Sequence, residues 1–220
     1  NKLLVTGATP SGDPDGVGPE FARHIADGLG VPVSYVQFPT PGELADAVTE
    51  NVWDIGLIGA EPTRAEKIAF TAAYVEIEAT YLVPEGSPLN TIEDVDAEGV
   101  RIAVSGRSAY DLYLSRSLKH AELHRAQGLP GALELFMAEK MDALAGLRPA
   151  LTGDLDKVPG GRILDGQFTA VQQAVGTART KPEAAAYLSD VVEDAKASGL
   201  IARLIEKHNV VGRLSVAGPA

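Results

Sequence analysis

The sequence predicts an α/β protein made of two lobes, each with a mixed or parallel sheet covered by helices. Three observations indicate this fold class. Strand-like apolar runs alternate with amphipathic helical segments along the chain. The alternation starts again after Pro84, Glu85 and Gly86. With 220 residues, of which 45% are hydrophobic and 22% charged, the chain is long enough for two compact units of roughly 100 residues each.

The first half of the chain has the order strand, helix, strand, helix, strand. In the first predicted helix, residues 19–29, the side chains of Phe21, Ile25 and Leu29 fall on one face, and Gly30 ends the helix. The predicted strands are residues 2–6, 31–36 and 53–58, and the second predicted helix is 43–50. This order is typical of a parallel sheet with helices on its faces.

The second half repeats the α/β pattern. We predict strands at residues 74–83, 100–104, 122–125, 141–147 and 168–175, and helices at 109–120, 131–140, 182–198 and 200–208. Strand segments near 80–83 and 168–175 are the expected crossings between the lobes. Lobe 1 is therefore predicted to hold residues 1–84 and 172–220, and lobe 2 residues 85–171. Because ligands bind at strand ends and at domain interfaces, a cleft between the lobes is the expected site.

Composition excludes several classes of function. The net charge of −11 argues against a nucleic-acid partner, because no basic patch offsets phosphate repulsion. The absence of cysteine excludes disulfides, thiolate metal sites and cysteine nucleophiles. His120 and His124 are spaced like a pair of metal ligands, but with no third ligand nearby in the sequence we predict no metal and no cofactor. No apolar run is long enough to span a membrane.

The stretch from residue 53 to residue 83 carries the principal candidate site residue. A buried-strand run ends at Gly59, a short turn containing Glu61 follows, and the turn leads to a single cation, Arg64. A guanidinium at a strand end can bind a carboxylate through two parallel hydrogen bonds. The alternative is an ordinary surface arginine that pairs weakly with Glu61 or Glu66.

Several motifs in the right order resemble family 3 solute-binding proteins, the amino-acid type receptors of ABC importers. They are GVGPEFARHIADGLG, PGELADAVTENVWDIGLIG, PTRAEKIAFTAAY, VRIAVSGRSA, KMDAL and VEDAKASGLIARLIEK. The resemblance covers nearly the whole chain. It implies a type II periplasmic binding fold that closes on a small solute, an exported monomer in the periplasm, and an ABC permease as partner.

The resemblance also implies roles for individual residues. Arg64 matches the family's arginine that binds the ligand carboxylate, and Gly59 lies in the loop that leads to it. Arg107 and Ser108 match the second-lobe loop that completes the carboxylate site at a helix N-terminus. Three further residues are expected near the ligand: Ser11, Tyr110 and Arg148.

The sequence departs from the family in ways that leave the ligand open. The loop before Arg64 is short, and Glu61 stands where a hydroxyl is usual. Leu147 and Arg148 occupy the place of an acid that pairs with the ligand ammonium. If Glu61 replaces that acid, the ligand is an amino acid. If Glu61 only orients Arg64, the three cations Arg64, Arg107 and Arg148 indicate an organic acid without an ammonium, which we slightly favour because a buried unpaired ammonium is costly.

Two other classes share this scaffold. Cyclohexadienyl dehydratases need a general acid, for which Glu61 is the loop acid in position. Sensor domains of receptor kinases need a membrane helix that the 220 residues do not contain. The sequence therefore favours a binding protein that is not an enzyme, with a dehydratase as the alternative.

Overall fold

The computed structural model describes residues 2–220 and divides them into two compact units. Unit 1 comprises residues 2–38, 43–76 and 172–220, and unit 2 comprises residues 39–42 and 77–171. The division falls within two long strands, after Glu76 and before Gln172. The predicted lobe boundary at residue 84 lies just beyond the end of the first of these strands, which ends at Val83.

The chain forms ten strands and eight α-helices within the described residues. The strands are β1 Gly7–Ala8, β2 Pro14–Asp15, β3 Gly56–Gly59, β4 Ile68–Val83, β5 Arg101–Ser105, β6 Glu122–Ala126, β7 Ala143–Leu147, β8 Arg162–Ile163, β9 Thr169–Ala178 and β10 Ser215–Val216. The helices are α1 Val17–Leu29, α2 Pro41–Asp46, α3 Pro62–Ala65, α4 Ala109–Ser117, α5 Gly128–Ala138, α6 Arg148–Asp154, α7 Pro182–Ala197 and α8 Leu200–Lys207. Short 3₁₀ turns cover Ala47–Glu50, Glu93–Val95 and Leu155–Lys157.

Unit 1 packs helices α1, α7 and α8 together. The buried face of α1 includes Phe21 and Ile25, as the periodicity predicts, and the Phe21 ring lies 5.2 Å from that of Tyr74 in β4. Gly30 ends α1 in the left-handed conformation with φ 65°, which a glycine adopts without steric cost. The amphipathic prediction is therefore confirmed for Phe21 and Ile25 but wrong for Leu29, the last residue of the helix, which is 53% exposed.

The predicted parallel β-α-β-α-β sheet is wrong for unit 1. In this unit β3 pairs antiparallel with β9, and β10 pairs antiparallel with β4. Residues 2–6 form a turn and an extended piece, and residues 31–36 form no strand. Val31 and Val36 are about half exposed, at 50% and 49%. An aliphatic run has strand propensity, but a strand needs a hydrogen-bonding neighbour that propensity alone does not supply.

Unit 2 has the predicted α/β architecture. Strand β5 pairs in parallel with both β6 and β7, and β7 and β8 pair antiparallel with the second half of β4. Helix α5 packs on β5 over a core that includes Leu82, Ala103, Phe136, Leu144 and Leu151. The sheet is mixed, as the predicted fold class allows.

Candidate functional site

Arg64 is a buried cation in unit 1. Arg64 lies in the short helix α3, which begins with Pro62 directly after the turn that follows β3. Only 6% of Arg64 is exposed, and its Nη1 donates a 2.7 Å hydrogen bond to the carbonyl oxygen of Gly59. The alternative of a solvent-exposed surface arginine is therefore wrong. A buried guanidinium requires anionic or carbonyl partners, because it has lost its hydration.

The turn before Arg64 is held in place by backbone hydrogen bonds. The N–H of Ala60 donates to the carbonyl of Gln172 in β9 over 2.7 Å, and the N–H of Ala65 donates to the carbonyl of Glu61 over 2.9 Å. Gly59 is buried, and Glu61 is half-buried in extended conformation as the residue before α3. The structure thus brings together three of the predicted residues, Gly59, Glu61 and Arg64, in one turn of unit 1.

Ser11 lies in the exposed loop of the β1–β2 hairpin. Its Oγ is 2.8 Å from Oγ1 of Thr9 and donates to Oδ2 of Asp13 over 3.1 Å. These bonds are local to the hairpin. The prediction that Ser11 contacts a ligand stays a prediction.

In unit 2, the loop between β5 and α4 contains the predicted residues Arg107 and Ser108, and the predicted residue Tyr110 follows in α4. Ser108 is the N-terminal cap of α4, because its Oγ accepts the N–H of Asp111 at 3.1 Å. Tyr110 is buried in the first turn, and its burial raises the pKa of the phenol. Arg107 has φ 61°, in the left-handed region that a non-glycine residue seldom adopts.

Asp111 stabilises this unusual loop and was missed by the sequence reasoning. It is 2% exposed, and its Oδ2 accepts the N–H of Arg107 at 2.7 Å. Its Oδ1 accepts Nε of Arg125 at 3.0 Å, while Ser115 donates to its backbone carbonyl over 2.8 Å. An acidic residue in the first turn of a helix is a signal that could have identified it.

The side chain of Arg107 lies against Gly42, which belongs to the same compact unit. Its Nη2 donates to the Gly42 carbonyl over 3.4 Å, and a Cβ added to Gly42 would come within 2.9 Å of the Arg107 Cζ. The absence of a side chain at residue 42 therefore lets the guanidinium pack on the backbone.

Arg148 begins α6 and forms several polar contacts within unit 2. Its Nε donates to Oε2 of Glu78 over 2.6 Å, and its Nη2 donates to the carbonyls of Leu164, over 3.4 Å, and of Gly166. Glu78 was not among the predicted residues. The sequence predicted that Arg148 adds a positive charge to the site. Because the Glu78 carboxylate already pairs with Arg148, that charge is partly neutralised.

The structure also brings together three residues that could ligate a metal in unit 1. Ligand atoms of Asp15, Glu20 and His208 lie within 4.8 Å of one another. Both carboxylates already have basic partners: Asp15 pairs with Arg23, and Glu20 pairs with Lys207 and His208. Because His208 lies 188 residues after Glu20, and farther still after Asp15, the spacing of these three residues in the sequence does not predict a metal site. His120 and His124, the pair considered from the sequence, lie outside this group.

This chain is similar in sequence to one protein family and in fold to several solved structures. The sequence profile of the bacterial extracellular solute-binding proteins, family 3, matches residues 6–210. A solute receptor for L-cysteine of Neisseria gonorrhoeae has a TM-score of 0.77 and 18% identity, with 96% of this chain and 90% of the receptor covered. Holo ArgBP from T. maritima has a TM-score of 0.69 and 20% identity, covering 91% and 88% of the two chains.

A third similar structure is AncCDT-1, an ancestral amino-acid-binding protein described as a precursor of cyclohexadienyl dehydratase. It has a TM-score of 0.72 and 20% identity, covering 91% of this chain and 88% of its own. A search of curated proteins found no match. None of the helices within residues 2–220 is long and apolar enough to cross a membrane. Since the family profile extends over nearly the whole chain, and solved structures share its fold, the protein belongs to the family 3 bacterial extracellular solute-binding proteins.

Proposed function

We propose that this protein captures a small carboxylate-bearing solute outside the cytoplasm and delivers it to the membrane subunits of an ABC importer in the periplasm. The observation that carries the proposal is the buried Arg64, held by the Gly59 carbonyl at the end of β3. Structures with the same fold include a receptor for L-cysteine and an ArgBP. Amino acids carry the carboxylate that a guanidinium binds well.

The second unit supplies the supporting candidates. The loop that contains Arg107 and Ser108 is pre-formed by its hydrogen bond to Asp111, and it precedes α4. A pre-formed loop loses less conformational entropy on binding than a mobile one. The partly neutralised Arg148 weakens the argument for three equivalent cations, so amino acids and organic acids remain the two ligand classes.

The first test is a thermal-shift screen against amino acids, dicarboxylates and aromatic acids, because a ligand that binds only the folded state raises the melting temperature. Calorimetry then measures the affinity of each hit for three proteins: the wild type, Arg64→Ala and Arg64→Lys. We expect Arg64→Ala to weaken binding by about 100-fold, from the loss of a charge-assisted pair. Arg64→Lys keeps the charge but loses the planar fork, and we expect about tenfold weaker binding.

Arg203→Ala is the matched control. Arg203 is an exposed arginine of the same unit, and its Nη1 donates to the carbonyl of Ser198 over 2.9 Å, away from α3. Its replacement should change affinity by less than about threefold. Unchanged affinity in both folded Arg64 variants would contradict the carboxylate assignment. If Arg64→Ala does not fold, Arg64→Lys still decides the outcome.

A matched ligand pair distinguishes the two ligand classes. L-Glutamate and glutarate differ only by the α-ammonium group. If Glu61 pairs with an ammonium, glutamate-type ligands bind better and Glu61→Gln removes that preference. If it does not, the deamino acids bind at least as well, and Glu61→Gln leaves the preference unchanged.

Dehydratase activity is the second candidate, favoured by the similarity to AncCDT-1. It requires Glu61 to act as a general acid. Purified protein should then convert prephenate or arogenate, and Glu61→Gln should abolish turnover. Absence of turnover by the wild type would eliminate this candidate and leave the binding function intact.

A further inference from the structure

Unit 1 contains a solvent-open surface cavity of about 600 Å³, lined mostly by exposed residues, that is separate from the Arg64 turn. Its lining includes three basic residues, Lys2, His208 and Arg213, and two neutral polar residues, Thr6 and Asn209. Among the described residues no carboxylate lines it, although the chain has 30 acidic residues and only 19 lysines and arginines. A cavity without acids is therefore a local departure from the composition of the protein.

Two of the basic side chains, those of Lys2 and Arg213, have no counter-ion among the residues that the structure describes. Within residues 2–220, neither Lys2 nor Arg213 forms an ion pair or a side-chain hydrogen bond. Both residues are exposed, so water solvates their charges in the absence of a ligand. An anion that enters the cavity would meet an ammonium and a guanidinium, which both prefer oxyanion partners.

Two carboxylates of unit 1 close to this region are paired with basic residues, one of which is His208 of the cavity lining. Glu20 accepts Nζ of Lys207 at 2.6 Å and Nε2 of His208 at 2.7 Å. Burial opposes its ionisation, but these two hydrogen bonds outweigh that effect and lower the pKa of Glu20. Asp15 accepts Nη2 of Arg23 at 2.7 Å, and this bond lowers its pKa.

Two segments of the cavity wall are held by backbone hydrogen bonds. On one side, the N–H of Thr6 donates to the Asp15 carbonyl over 2.8 Å. On the other side, the N–H of Val210 donates to the Ile205 carbonyl over 3.1 Å, and that of Arg213 donates to the Val210 carbonyl over 3.0 Å. A cavity whose walls are formed before binding loses little conformational entropy on binding.

We infer that this cavity is a second binding site of unit 1, for a small oxyanion with two or more negative charges, held by Lys2 and Arg213. Two uncompensated cations favour a dianion, because a monoanion would leave one of them without a partner. The volume lies within the range of small-molecule sites, about 300–1,000 Å³. Phosphates and polycarboxylates share the required chemistry.

The test is calorimetric titration of the purified protein with inorganic phosphate and with citrate, in separate arms, at low ionic strength and near neutral pH. Low salt is needed because screening weakens an exposed ionic site. The variant Lys2→Glu/Arg213→Glu should bind at least about tenfold more weakly, since it reverses both charges. If the wild type binds citrate more tightly, the preferred ligand class is a polycarboxylate. If it binds phosphate more tightly, the preferred class is a phosphate.

A matched double variant separates local binding from the effect of net charge. Lys119→Glu/Arg203→Glu changes the net charge by the same amount at exposed positions that do not line the cavity. It should bind both anions within about twofold of the wild type. Circular dichroism establishes that each variant is folded.

The Arg64→Ala variant separates this site from the proposed solute site and should leave anion binding unchanged. Three results would overturn the inference: no saturable binding of either anion by the wild type, equal weakening by the control double variant, or loss of anion binding in Arg64→Ala. The first two results do not bear on whether Arg64 binds the transported solute, whereas the third would assign the anion to Arg64 and so support the proposed solute site.

Discussion

Replacement of Asp111 should destabilise unit 2 more than replacement of any exposed acid. The side chain is 2% exposed and accepts the N–H of Arg107 at 2.7 Å and Nε of Arg125 at 3.0 Å. The first of these bonds supports a residue with φ 61°, a conformation that is strained without support. Asp111→Ala removes both bonds together.

The expected cost follows from these contacts. The charge-assisted bond from the Arg107 N–H contributes about 1.5–3 kcal/mol. The ion pair with Arg125 contributes at most about 1 kcal/mol, because that guanidinium is 47% exposed and screened by water. We therefore expect Asp111→Ala to lower the free energy of unfolding by about 2–4 kcal/mol. Asp111→Asn retains one acceptor oxygen and should lower it by about 1–2 kcal/mol.

Circular dichroism melting and amide hydrogen exchange of α4 measure the effect. For a chain of this size, 1 kcal/mol corresponds to about 2–4 °C, so Asp111→Ala should melt roughly 5–15 °C below the wild type. Fluorescence of Trp53 follows unit 1 separately and should shift less. Asp156→Ala, at an exposed position of unit 2, is the control. A melting temperature of Asp111→Ala within about 2 °C of the control would refute this account of the loop.

Three further predictions concern packing and pH. Gly176→Ala should destabilise unit 1 by about 1–3 kcal/mol in urea unfolding, since the new Cβ would lie 2.5 Å from Cγ2 of Ile68. Gly16→Ala should cost at least about 2 kcal/mol by the same measurement, because Gly16 has φ 144° and its Cβ would overlap the carbonyl oxygen of Leu4. Burial opposes ionisation of Asp96, but its carboxylate accepts backbone N–H bonds from residues 119–121, and these bonds outweigh burial and lower the pKa of Asp96 below 3.8. This carboxylate stabilises the protein above its ordinary pKa and loses that contribution as pH falls through the lowered pKa, so the stability advantage of the wild type over Asp96→Asn should shrink below about pH 4.

Each of these predictions has a control and a contrary outcome. Gly7→Ala adds a methyl group where no atom lies within 4 Å, and it should leave stability within about 0.5 kcal/mol of the wild type. Gly176→Ala or Gly16→Ala with equally small effects would show that the backbone relaxes around the new Cβ. A difference between the wild type and Asp96→Asn that stays constant from about pH 7 to pH 3 would contradict the role of the ionised carboxylate.

Local pattern was sufficient for much of the fold. The 3.6-residue periodicity around Phe21 and Ile25 predicted α1, and Gly30 marked its end correctly. The order of unit 2 was predictable because β5, α4, β6, α5 and β7 alternate along the chain, which is the pattern of parallel strands joined by crossover helices. The position of Arg64 after β3 was likewise visible as a cation following a buried-strand run.

The errors occurred where long-range pairing decides the outcome. Residues 2–6 and 31–36 have aliphatic composition suited to strands, yet neither forms one in the described structure. The orientation of β3 depends on β9, a neighbour more than 100 residues away, and that pairing is antiparallel. Strand propensity indicates only that a segment can adopt an extended conformation. Whether the segment joins a sheet depends on a partner strand that can pair with it.

By itself, the sequence determined the α/β class, the family and the cation at the end of β3, because composition, periodicity and motif order are local properties. Only the tertiary structure decided that Arg64 is buried on the Gly59 carbonyl, that Asp111 holds Arg107 in its left-handed conformation, and that Lys2 and Arg213 line one cavity. Burial and hydrogen-bond partners depend on residues distant in the chain, so they become defined only when the chain folds.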